Sequence, residues 1–267
     1  MRHVGTIAGR ELRSLFVSPV AYAVLTLYAV LAGFFFVASV LSFESNLMQA
    51  QQFQAFDFLR TLNLNDQLIS PFFQIMWIVI LFLVPGVTMG LFAAEKANGT
   101  EELLLTSPVT IWELVLGKFL AAAAFVTLLV AILAAFSGLV FLYADPKPEV
   151  LKTLSGLLGM WLVALSYAAV GTFASSVTRN QLIAFFLALV LLLILWLLSV
   201  VADLGVAGGA VGATSGVSGV IRWLSSSDHF EELLKGLVDT RSLAYFAFVT
   251  ATFLVLTKAS VESVRWR

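Results

Sequence analysis

The chain has 267 residues, of which 60% are hydrophobic and only 12% charged, with a formal net charge of −1. Its mean hydropathy is +1.00, whereas soluble proteins carry about 25% charged residues. A soluble globule of this size could not hide so much apolar surface, which excludes a water-soluble enzyme, a nucleic-acid binder and a disordered chain. What remains is an all-α polytopic membrane protein read as one domain over residues 1–267. The absence of cysteine further excludes a disulfide framework, thiolate metal sites and cysteine catalysis.

In chain order, residues 1–17 read as an amphipathic helix. Val4, Ile7, Ala8, Leu12, Leu15 and Phe16 recur at helical spacing, and Arg2, His3, Arg10, Glu11, Arg13 and Ser14 fill the other face. Such a helix lies in the membrane interface and ends before Pro19. A generic basic anchor and an elbow that grips the bundle both fit this pattern.

Long uncharged runs, with charges only near the span ends, then predict six spans at 19–43, 71–94, 112–143, 152–177, 180–202 and 242–258. About 20 residues are needed to cross the hydrocarbon. The last uncharged run, 242–257, has 16 positions, so it crosses only if Arg241 and Lys258 snorkel. Residues 44–70, rich in Gln and Asn, predict a polar loop or short helices, and 145–149 (DPKPE) a tight turn. Pro85 with Gly86 interrupts span two, where proline removes a backbone hydrogen bond; a kink used in gating and plain packing geometry both fit. Ala121–Ala124, Gly156, Gly159 and Gly171 suit close helix approach.

The segment 95–118, EKANGTEELLLTSPVTIWELVLGK, is the densest polar feature. Asn98-Gly99 signals a turn. Thr100 can cap a short helix through Glu101, Glu102, Leu103, Leu104 and Leu105, which Pro108 stops. Thr110 with Glu113 forms a capping box for span three. A solvated loop is the alternative. Further on, 203–241 is expected to be an exported loop whose 204–221 part, with six glycines, is too poor in large side chains to favour insertion. Within it, Phe230, Leu233, Leu234 and Leu237 oppose Glu231, Glu232 and Lys235, which predicts a second interfacial helix capped by Ser227 or Asp228.

With six spans both termini share one side, which holds nine of the 15 Lys and Arg residues; that bias favours cytoplasmic termini. The span interiors lack ionisable residues, which disfavours proton or sodium coupling. His3 and His229 are the only histidines and fall on opposite sides, so neither a metal site nor zinc or serine intramembrane proteolysis is expected. No phosphate-binding GxxxxGK[ST] occurs, so any ATP would be bound by another chain.

The stretch LVPGVTMGLFAAEKANGTEELLLTSPVTIWELVLGK resembles the span-two, coupling-loop and span-three signature of type-2 ABC transporter permeases. The matching positions are Pro85, Thr88-Met89, Glu95-Lys96, Gly99-Thr100, Glu102, Leu103-Leu104, Ser107-Pro108-Val109 and Gly117-Lys118. RELRSLFVSPVAYAV and HFEELLKGLVDTRSLAYF are similar to the branch containing gliding-motility permeases, which nitrous-oxide-reductase maturation permeases also resemble. The insert at 204–220 departs from the pattern.

The resemblance implies a six-span permease of a bacterial inner membrane that dimerises and exports a substrate. Two cytoplasmic ABC ATPase subunits would carry ATP and Mg; this chain would be no enzyme and hold no cofactor or metal. The ATPase would meet a coupling helix built from Glu95, Lys96, Gly99, Thr100, Glu101, Glu102, Leu103, Leu104, Leu105 and Pro108. The first helix, with Arg10, Glu11 and Arg13, would be the connecting helix beside it. An exported-side accessory protein is a further expected partner, and nucleic acid is not. The alternative is an anchor that transmits force in a motility or envelope complex without passing a substrate.

Overall fold

In the computed structural model, residues 3–53, 63–100, 109–207 and 223–264 are described. Helix α1 (Val4–Val17) is followed at once by α2 (Pro19–Gln52). The chain turns there because Ser18 is extended and Pro19 occupies the first turn of α2, where a missing N–H costs nothing. The Ser18 hydroxyl accepts a bond from Val20 N at 3.3 Å.

A π-helical turn, Asn65–Ile69, leads into α3 (Ser70–Thr88) and, after a break at Met89, α4 (Gly90–Ala97). Then come α5 (Ile111–Tyr143), α6 (Val150–Val177), α7 (Gln181–Ala207), the short α8 (Ser226–Leu234) and α9 (Thr240–Val264). The expected capping box opens α5: Thr110 Oγ1 accepts from Glu113 N at 3.3 Å, and Glu113 accepts from Thr110 N at 3.2 Å. Among the described residues, six helical stretches are long and apolar enough to cross a membrane. The all-α, six-span architecture read from the sequence is therefore present.

Helix α6 is the axis of the bundle. Of its apolar window 67% is buried, against 17% for α2 and for α7. Small residues explain this. A Cβ added at Gly171 would lie 2.0 Å from Thr88 Oγ1, and one at Gly156 would lie 3.0 Å from the Phe73 ring. Across the same interface Trp77 Nε1 donates to Tyr167 OH at 2.9 Å.

Three sequence expectations need correction. The helix that carries span one does not stop at residue 43; α2 runs to Gln52, because the polar residues after Glu44 are good helix formers with no breaker among them. Residues 44–70 are thus largely helix rather than loop where described. The expected exported loop 203–241 is shorter than its bounds, since α7 extends to Ala207 and α9 begins at Thr240; residues 208–222 lie outside the described residues.

The third correction concerns α8, which is no surface-lying interfacial helix. Phe230, Leu233 and Leu234 are buried, as is His229, while Leu237 is 62% exposed. The reason is again glycine: a Cβ at Gly159 would stand 2.9 Å from Leu233 Cβ, so α8 beds against α6. Ser155 Oγ donates to Leu233 O at 2.8 Å, and Ser226 Oγ to Leu195 O at 3.3 Å. The N-cap is Ser225, without a side-chain capping bond, in place of Ser227 or Asp228.

Candidate functional site

At the end of the bundle that carries α1, three helices meet around a buried lysine. Lys118, on the second turn of α5, has a side chain with no solvent exposure. Its ammonium lies 2.8 Å from Glu95 of α4 and 3.4 Å from Glu11 of α1. It also donates to Leu91 O at 2.5 Å and stands 5.1 Å from the centre of the Phe92 ring. A buried charge is tolerated only when paired and hydrogen-bonded, and these groups meet that need. Arg10 extends the network outward, 2.6 Å from Glu11 and 3.6 Å from Glu95.

Close backbone contact makes the cluster possible. A Cβ at Gly117 would lie 2.6 Å from Ile7 Cγ2, so α1 presses on α5 one residue before the lysine. Leu15 and Phe16 pack on the core from the same helix. Of the two sequence readings of α1, the structure supports the elbow that grips the bundle. Arg13 is exposed and takes no part in the cluster.

Lys96 points to another neighbour. It donates to Ser176 O at 2.6 Å, and Ser260 Oγ of α9 donates to the same carbonyl at 3.0 Å. A cation there complements the carboxyl end of α6, where unpaired carbonyls gather. Helix α4 then ends as Asn98-Gly99 foretold. Gly99 has φ +70, with Gly99 N donating to Lys96 O at 3.4 Å and Thr100 N to Glu95 O at 3.0 Å. Those two bonds define a Schellman cap. The Thr100 hydroxyl turns back to Glu95 O at 3.3 Å. Glu101, Glu102, Leu103, Leu104, Leu105 and Pro108 lie outside the described residues.

The break in span two falls after Pro85-Gly86. Pro85 is buried inside α3, and Met89 N still bonds Pro85 O at 2.9 Å. Beyond Met89, Phe92 N and Ala93 N both donate to Ser175 Oγ at 3.0 Å. In an unbroken helix they would bond the carbonyls of Thr88 and Met89. The serine in turn donates to Met89 O at 2.7 Å, so a side chain of α6 ties down the first turn of α4 beside the break. Beside the break lies an apolar cavity of about 150 Å³, lined by Leu15, Ser18, Val24, Gly86, Met89 and Phe125 among others.

The sequence marked Glu95 and Lys118 as positions of the family signature, and Glu95 as part of the coupling element, without pairing them. Their opposite signs at the same end of adjacent spans were the available signal for a pair. Ser175 carried none, because serines are frequent on α6. Among the described residues, no group of three or more His, Cys, Asp or Glu could hold a metal.

A family model described as ABC-2 family transporter protein matches residues 5–261. The chain therefore belongs to the ABC-2 family of transporter proteins. It is an ABC permease subunit, a transporter's membrane component without catalysis of its own, in a family that works with a separate ATPase subunit. Comparison with curated proteins gave no match.

Proposed function

We propose that the chain is the permease of an ATP-driven exporter in a bacterial inner membrane, with cytoplasmic termini and a dimeric assembly. A separate ATPase, which binds ATP and Mg, docks on residues 95–108. The observation that carries this reading, beside the family, is the Lys118 cluster. It ties together α1, α4 and α5, and the last two flank residues 101–108 directly. A displacement of that segment is transmitted to α1 and, through α4, to the break at Met89. Partner binding that favours one of two arrangements is the physical content of coupling. The N-terminal and HFEELLKGLVDTRSLAYF segments support placement in the gliding-motility-type branch, where an exported-side accessory protein is a natural partner.

The test is Leu103→Ala with Leu104→Ala. Burial of a leucine in a partner groove is worth about 1.5–3 kcal/mol, so losing two contacts weakens docking on the order of 100-fold. Insertion is unaffected because no span changes. Copurification of the ATPase with the permease, and its activity in the complex, measure the effect. Unchanged association and activity would remove this segment as the docking element.

A further inference from the structure

At the end of the bundle that carries Lys152, against which Gly236 packs, a second polar cluster joins α8 to the start of α9. His229 of α8 is buried, and so is Ser242 in the first turn of α9. The imidazole is held at both nitrogens. Nε2 lies 3.1 Å from the Trp223 carbonyl oxygen, and Nδ1 lies 3.1 Å from Ser242 Oγ. Ser242 Oγ in turn lies 2.7 Å from Glu232 Oε2, an oxygen 3.9 Å from Nδ1.

The hydrogens in this chain can be counted. A carbonyl only accepts, so Nε2 carries a hydrogen. The Ser242 hydroxyl has one hydrogen and can give it to Glu232 or to Nδ1, but not to both. With a neutral ring, Nδ1 is a bare acceptor. Whichever way the hydroxyl turns, it then leaves two acceptors face to face: Nδ1 with Oγ, or Oγ with the carboxylate. A second ring proton completes the chain, because Nδ1 donates to Ser242 and Ser242 donates to Glu232. The Tyr245 ring stacks on the imidazole at 4.4 Å and 24°, and an aromatic face attracts a cation.

The surrounding elements leave this chain intact. From α9, the Tyr245 hydroxyl donates to Leu224 O at 2.8 Å, Asp239 accepts from Arg241 N at 3.3 Å, and Arg241 is exposed. From α6, the Tyr167 hydroxyl faces Ser226 Oγ at 3.4 Å. Helix α7 meets α8 through the carbonyls of Leu195 and Trp196. On α8 itself, Asp228 adjoins His229.

We propose that His229 is a proton-operated latch. Protonated, it closes α8 onto the first turn of α9 through Ser242 and Glu232; on losing the Nδ1 proton it releases that turn. The latch lies at the opposite end of the bundle from the Lys118 cluster, so it answers to acidity on that face and not to the ATPase.

The chain has two histidines and no cysteine, which makes the test direct. The full chain with His3→Gln, purified in detergent without a polyhistidine tag, leaves one imidazole for nitrogen NMR of isotope-labelled histidine. Nitroxides at Glu231→Cys and Arg241→Cys, both exposed positions, report the separation of α8 and α9. Histidine changes charge between about pH 5 and 8. Within that interval Nδ1 loses its proton as pH rises, and the two labels move apart together with it. In His229→Gln the separation no longer responds to pH. Ser242→Ala removes the acceptor, so Nδ1 holds its proton about tenfold less tightly, the weight of one hydrogen bond to a charged group; Ser242→Thr, which keeps the hydroxyl, restores it. Glu232→Gln, at a half-buried position, weakens proton binding likewise and serves if Ser242→Ala does not fold. A ring that keeps one charge state across the interval, proton binding unchanged in these variants, or a label separation that ignores the titration overturns the proposal.

Discussion

Lys118 shows how one residue's surroundings decide its role. Two carboxylates, a carbonyl and an aromatic face converge on a side chain that water does not reach. Lys118→Met leaves Glu95 and Glu11, each less than a quarter exposed, with the exposed Arg10 in place of a buried counter-charge. Breaking a buried pair from one side costs about 3–5 kcal/mol. At roughly 2–4 °C per kcal/mol for chains of about this size, the melting temperature falls on the order of 10 °C. Adding Glu95→Gln to Lys118→Met removes the stranded charge and restores part of the loss. Thermal unfolding in detergent checks both variants; a single variant as stable as the parent would show that the cluster does not hold α1 in place. The cluster was only half legible in the sequence. Both ends of the pair stood out as rare charges, but Glu11 and Lys118 are roughly a hundred residues apart, and nothing local says that α1 lies on α5.

At the level of elements, local signals were reliable where one side chain governs one turn. Thr110 and Glu113 do cap α5, and Gly99 does end α4, because those effects are short-ranged and chemically specific. They were unreliable where a partner helix ties the chain down. Pro85 marks a weak point, but the ladder parts at Met89, where Ser175 supplies an acceptor from another helix. Helix α8 looked interfacial because its apolar face is narrow; the glycines of α6 give that face a buried seat. The break can be tested without disturbing packing. A Cβ at Gly86 meets no atom within 4 Å, so Gly86→Ala adds about 1 kcal/mol of helix propensity without a clash. The expected outcome is a slightly higher melting temperature together with slower transport-coupled ATP hydrolysis in the reconstituted complex, since α3 stiffens beside the cavity. Higher stability with unchanged turnover would mean that the bend is static geometry.

For the whole molecule, the charge-free runs made the six spans legible because the membrane imposes their length and composition together. Which side each loop faces is a separate matter, set by where Lys and Arg fall. The structure gathers Arg10, Lys96, Lys118 and Lys258 at the end that carries α1, where Lys258 stands 5.7 Å from the Trp112 ring centre on α5. Lys152 belongs to the other end, paired with Asp66. Both ends of the described chain, α1 and the last turns of α9, thus lie on the lysine-rich side. The arrangement fits the proposed cytoplasmic termini. Reporter fusions at Arg267 and Gly212 distinguish the alternatives. A cytoplasmic reporter is active at Arg267 and silent at Gly212, and an exported reporter behaves in reverse. If both positions report the same side, the chain crosses the membrane an odd number of times between them beyond what α9 provides. The six-span topology would then fall, and with it the placement of residues 95–108 within reach of a cytoplasmic ATPase.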